Sequence, residues 1–142
     1  MQFLHHAFAF ELSNEWWAEA GMNGFIPTCR SYRADTQAFP GQIVYEVRID
    51  EVSPVERKLS HGVFNNDIEK GLTAKDRVLK ILRGFVANDA IPPVKVVQLP
   101  TAEPYCYKLT DGAHRFYLAI AAGFTHVPAV DGFDWRRLKP GF

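Results

Sequence analysis

The order of apolar and polar positions predicts a chain that alternates short strands with helices. Phe3 to Glu11 runs Ala7, Phe8, Ala9, Phe10 in alternation and reads as one half-buried strand. Adjacent side chains on a strand point to opposite faces, so the His5-His6 pair within it is expected to be structural or at the surface rather than a metal site. Leu12-Ser13 then opens a short helix through Asn14 to Ala20, with Ser13 as its N-cap and Gly21 as its stop. Trp16 and Trp17 would pack that helix on the sheet or on a partner. Residues 22–42 are rich in turn formers and polar side chains, and read as a long loop in which Tyr32 and Arg33 would have the reach to close over a ligand.

Ile43 to Ile49 alternates again, placing Ile43, Tyr45, Val47 and Ile49 on one face of a second strand. After Pro54 come Glu56, Arg57 and Lys58, then a polar, Gly-containing stretch from His61 to Leu72 that reads as a loop. Thr73-Ala74-Lys75-Asp76 has the form of a capping box with Asp in the last position. Val78, Ile81, Leu82 and Phe85 follow at helical spacing, predicting an amphipathic helix to about Val86. Further on, Tyr105 to Leu109 alternates as a strand, Asp111-Gly112 breaks it, and Ala113 to Ala122 is strongly helical up to Gly123.

That last strand, turn and helix carries the candidate chemistry. A helix start presents backbone N–H groups without intrahelical partners and a partial positive charge, which together attract anions. Gly112 lets a guest approach the backbone, Ala113 and His114 offer amides, and the Arg115 guanidinium matches phosphate oxygens. His114 adds a ring that donates a hydrogen bond or moves a proton near neutral pH. Asp111 would hold a magnesium ion bridging two phosphates, or accept a proton. Against this stands a purely structural turn: Asp111 as a cap, Arg115 in solvent and His114 on a nearby carbonyl. A second helix start, with Lys75 in its first turn, would converge with the first on one polyanion. No Walker-type loop and no zinc spacing is present, since the histidines are dispersed and the cysteines isolated.

Gly112-Ala113-His114-Arg115 after a strand, then a helix, Gly123-Phe124 and Val127-Pro128-Ala129-Val130, resembles the ParB/sulfiredoxin superfamily. The upstream Ile91 to Val97 is similar to the apolar strand before that turn. Val47 to Arg57 is similar to the strand, Pro, Arg opening of ParB-like domains. The likeness spans roughly Val44 to Val130 and is most specific in its C-terminal half. It implies an α/β (α+β) single domain, a small mixed sheet with packed helices, over residues 43–142, with residues 1–42 as an N-terminal extension packed on it. It further implies that Arg57 faces a nucleotide, that Lys75 contacts phosphate, and that Glu56 serves as a general base as a carboxylate does in the kinase branch; solvated surface positions are the alternative for Arg57 and Lys75. Two departures limit the transfer. Ala113 stands where sulfiredoxin carries its nucleophilic cysteine, so sulfiredoxin chemistry is not expected. Only twelve residues follow Val130, too few for the helix-turn-helix domain of chromosome-segregation ParB proteins. Asp111-Gly112 is closer to the Asp-Gly-His-type turn of free-serine kinases.

Composition narrows the function classes. A length of 142 residues fits one domain with a real core. Sixteen basic side chains balance sixteen acidic ones, which disfavours a strong duplex binder, since phosphate neutralisation supplies most of that affinity. Cys29 and Cys106 form no disulfide framework and read as reduced thiols of a cytoplasmic protein. No signal peptide or membrane-length apolar run is seen. Trp135-Arg136-Arg137-Leu138-Lys139 reads as a solvated tail with one packed aromatic. The turn and the resemblance together imply a nucleotide-binding protein, for ATP or CTP with Mg2+, with phosphotransferase or hydrolase activity at the turn. The alternatives are a ParB-like DNA-binding protein or metal-dependent nuclease, and a non-catalytic protein-interaction module. The oligomeric state stays open, a homodimer included.

Overall fold

Two strands with almost no exposed side chains, β4 (Val94–Gln98) and β6 (His126–Asp131), form the centre of the molecule. They run parallel, Val94 opposite Ala129 and Lys95 opposite Val130, and their run of valines suits strands covered on both faces. The computed structural model describes residues 1–54, 63–64 and 72–132. Antiparallel edge strands complete the sheet: β3 (Tyr45–Arg48) beside β6 and β5 (Tyr107–Asp111) beside β4, giving the order β3-β6-β4-β5. The mixed sheet expected from the sequence is thus present. A parallel pair needs a long crossover, and β5 followed by helix α3 (Ala113–Ala122) provides it.

Helix α3 packs on β4 of the sheet, and helix α2 (Ala74–Ala87) packs on α3. From α2, Val78, Leu79, Leu82 and Phe85 are buried, the face expected from the spacing, with Ile81 half-buried. From α3, Phe116, Tyr117, Leu118 and Ala119 are at most 1% exposed, so this helix is sunk in the core rather than lying over it. The capping box on α2 is present in both directions. Thr73 Oγ1 accepts from the Asp76 amide and Asp76 Oδ2 accepts from the Thr73 amide, each at 3.1 Å. The helix ends on Asn88 at φ 56°, a left-handed cap that Asn tolerates well.

The N-terminal segment corrects one expectation. The single strand anticipated over Phe3 to Glu11 is a hairpin, β1 (Gln2–His5) paired with β2 (Phe8–Glu11), and it turns at His6-Ala7. His6 takes φ 54°, and that left-handed residue reverses the chain where alternation alone suggests continuation. Helix α1 (Asn14–Glu19) follows with Ser13 as N-cap, its hydroxyl accepting from the Trp16 amide at 3.2 Å, and Gly21 just past the end at φ 82°. Phe10, Leu12, Met22 and Tyr32 join the same core cluster as α2, α3 and the sheet, so residues 1–42 are not a separate appendage.

Two more boundaries differ from the periodicity. β3 covers only Tyr45 to Arg48; Ile43 is 76% exposed, and Ile49 begins a 3-10 turn to Glu51. β5 starts at Tyr107 and runs on to Asp111, so the break falls on Gly112 itself. Residues 22–42 carry no regular helix or strand beyond the bridge between Ala34 and Ile91. They are nonetheless stitched down: the Thr125 and His126 amides donate to the Arg30 carbonyl, and the Ile91 amide to that of Arg33.

Candidate functional site

The turn between β5 and α3 forms because only glycine suits its conformation and crowding. Gly112 has φ 93°, and a Cβ there would lie 2.9 Å from Arg115 Nη2, 3.0 Å from Val94 Cγ1 and 3.2 Å from Val94 Cα. The first intrahelical bond runs from the Phe116 amide to the Gly112 carbonyl at 2.9 Å. The amides of Ala113, His114 and Arg115 therefore precede the helical ladder and sit at the positive end of its dipole.

This turn forms one wall of a cleft of about 1020 Å³. Residues Lys108 to Arg115 line it from the β5–α3 side, and Arg77, Lys80, Ile81 and Gly84 line it from α2. Among the described residues its lining has four permanent cations, Arg77, Lys80, Lys108 and Arg115, against two carboxylates, Asp89 and Asp111. A chain that is neutral overall thus gathers a local positive excess at a helix start.

Within the turn the two key side chains diverge but share the cleft. The His114 ring lies against Phe64, centroids 5.5 Å apart. The Arg115 side chain, 22% exposed, turns the other way: Nη2 donates to the Pro93 carbonyl at 3.3 Å and sits 4.0 Å from Asp111 Oδ2. Its Nε is buried without a hydrogen-bond partner among the described residues, a donor whose dehydration is uncompensated. Asp111 is well exposed, so its contact with Arg115 contributes little to stability. The carboxylate remains available to a hydrated divalent ion. Among the described residues no group of three or more His, Cys, Asp or Glu is arranged to hold a metal.

The remaining expected residues fall elsewhere. Lys75 does not line the cleft; its ammonium pairs with Glu19 of α1 at 3.0 Å, and α2 instead offers Arg77 and Lys80. Glu56, Arg57, Lys58, most of the His61 to Leu72 stretch and the tail around Trp135 lie outside the described residues. Tyr32 does not close over a ligand: it is 4% exposed and its hydroxyl donates to the Pro92 carbonyl at 2.7 Å. Burial pushes its phenol pKa up, and the nearby Arg115 charge offsets only part of that. Arg33 is exposed and reaches the Asn88 carbonyl at 3.4 Å.

The histidine pair is structural, though not by pointing to opposite faces. Nε2 of His5 bonds the Val52 carbonyl and Nε2 of His6 bonds the Asp50 carbonyl, both at 2.8 Å, with ring centroids 4.6 Å apart. The turn at His6 brings the two rings to one side. Burial lowers the His5 pKa more than the Val52 carbonyl raises it. Cys106 is no better a nucleophile than an ordinary thiol, since partial burial and then Glu51 push its pKa up.

The residues that periodicity overlooked, Arg77, Lys80 and Lys108, had one usable signal. Arg77, Ile81 and Gly84 recur every three to four positions along α2, a stripe at the border of its core face. Nothing in that stripe says which partner element it meets. Among the described residues no helix is long and apolar enough to cross a membrane. No protein-family model, no curated protein and no solved structure matches the chain.

Proposed function

We propose that the cleft binds the phosphates of a nucleoside triphosphate, ATP or CTP, with Mg2+, as a ParB/sulfiredoxin-like nucleotide-binding protein would. The supporting observation is the placement of the Arg115 guanidinium beside the first-turn amides of α3, in a cleft whose lining is cationic. In this role Gly112, Ala113 and His114 present backbone donors, and Arg115 neutralises phosphate charge. Asp111 would hold the ion, which would supply charge neutralisation to the phosphates. Phosphoryl transfer or hydrolysis would need little more than this alignment, with His114 or Asp111 handling the proton. The resemblance assigns a further base to Glu56.

Thermal denaturation over a nucleotide panel tests the proposal. Ligand at a hundredfold its dissociation constant adds about 2.7 kcal/mol, a rise of roughly 5–10 °C for a domain of this size. ATP or CTP with Mg2+ is expected to give such a rise in the wild type, and Arg115→Ala to remove it. No shift with any triphosphate at millimolar concentration would end the proposal. The same cationic lining favours a second reading, a ParB-like nuclease acting on the phosphodiester backbone. Metal-dependent nicking of plasmid DNA, lost in His114→Ala, would select it over the first.

A further inference from the structure

Arg115 is gripped by the segment that leads into β4. Pro92 and Pro93, consecutive residues just before β4, present two neighbouring carbonyls. The first accepts from the Tyr32 hydroxyl at 2.7 Å, the second from Arg115 Nη2 at 3.3 Å. Proline fixes its own φ and restricts the residue before it, so this pair of acceptors is stiff. Tyr32 is stiff as well. Its ring packs on Phe85 and Phe124, with centroids 5.5 Å and 6.4 Å away. The loop that carries it is bonded to the same segment, from the Ile91 amide to the Arg33 carbonyl at 2.9 Å and from the Asp35 amide to the Ile91 carbonyl at 2.8 Å. The hydroxyl faces the guanidinium, whose charge acts against the effect of burial on the phenol.

We propose that Tyr32 is a positioning residue for Arg115: acting through the Pro92–Pro93 carbonyl pair, it holds the guanidinium in the cleft wall before any anion arrives. The proposal rests on the phosphate-binding role of that cleft. It also gives residues 22–42 a task, since they supply the support for Arg115. A long arginine side chain loses rotamer freedom when it binds, and fixing it in advance removes that cost from the binding step.

The test separates the support from the ligand. In the ligand-free, 15N-labelled protein, the Arg115 side-chain NMR signals are expected to show slow rotation and slow Hε exchange. Tyr32→Phe, which keeps the packed ring, should release both. Titration with ATP and Mg2+ should show Tyr32→Phe weakening affinity by about three- to tenfold, the span of one immobilised side chain. The same substitution should have no effect in an Arg115→Ala background. Ser13→Ala, which removes the distant α1 cap, is the stability control and should alter neither readout. Unchanged Arg115 signals in Tyr32→Phe, or equal weakening in the two backgrounds, would overturn the proposal. Absence of ATP binding by the wild type, with Arg115 released by Tyr32→Phe, would support the positioning contact and refute the phosphate role.

Discussion

Gly112 and His5 show how single residues fix the geometry. Alanine at position 112 would occupy a backbone at φ 93° with Arg115 Nη2 2.9 Å from its methyl group. Gly112→Ala is expected to cost about 1–3 kcal/mol of stability by urea denaturation and to weaken any anion bound at Arg115. His5 gives a pH dependence of known sign. Its pKa is held below the free value of 6.5, chiefly by burial. Above pH 6.5 both folded and unfolded chains carry it neutral, and its contribution is complete. As the pH falls below 6.5 the unfolded chain takes up the proton first, so stability drops. The urea midpoint should therefore decline from pH 7 to pH 5, and His5→Gln should flatten that decline; equal slopes in the two proteins would exclude His5 as the source. Gly112 was legible in the sequence because its demand is local, a strand meeting a helix. Tyr32 and His5 were not, because the carbonyls that hold them lie 60 and 47 residues away.

Elements whose signals are local were legible in the same way. The α2 start needs only Thr73 and Asp76, three residues apart, and both reciprocal bonds form. Thr73→Ala should cost about 1 kcal/mol in a denaturant titration, the usual worth of a helix cap; no loss would mean the cap is redundant. The hairpin was missed because alternation measures burial and is blind to a reversal when the turn residue is His rather than Gly or Asn. β3 is shorter than its period for a related reason: Ile43 keeps the period of a strand, but no layer of the described molecule covers it. Lys75 illustrates the limit for helix faces. Periodicity placed it in the first turn of α2, while the approach of α1 with Glu19 decided that it looks away from the cleft.

At the scale of the whole molecule, α3 links the core to the candidate site. Its buried face anchors the sheet through Phe116 and Leu118, and Tyr117 meets Phe8 and Phe10 of the hairpin at 5.6 and 5.1 Å. The same helix aims its N-terminus at the cleft. The N-terminal extension thus acts on the site in two ways, by packing on α3 and by supporting Arg115 from Tyr32. Net charge is a poor guide at this scale, because a sum of zero conceals, among the described residues, four cations that line one cleft from two sides against two carboxylates. Amide chemical-shift mapping of the wild type on adding ATP or CTP with Mg2+ tests the central claim most directly. The largest shifts are expected at Gly112, Ala113, His114 and Arg115, with smaller ones at Lys80 and Lys108. A titration that leaves those four amides unmoved, or moves only residues remote from the cleft, would contradict the assignment of this turn as a phosphate site.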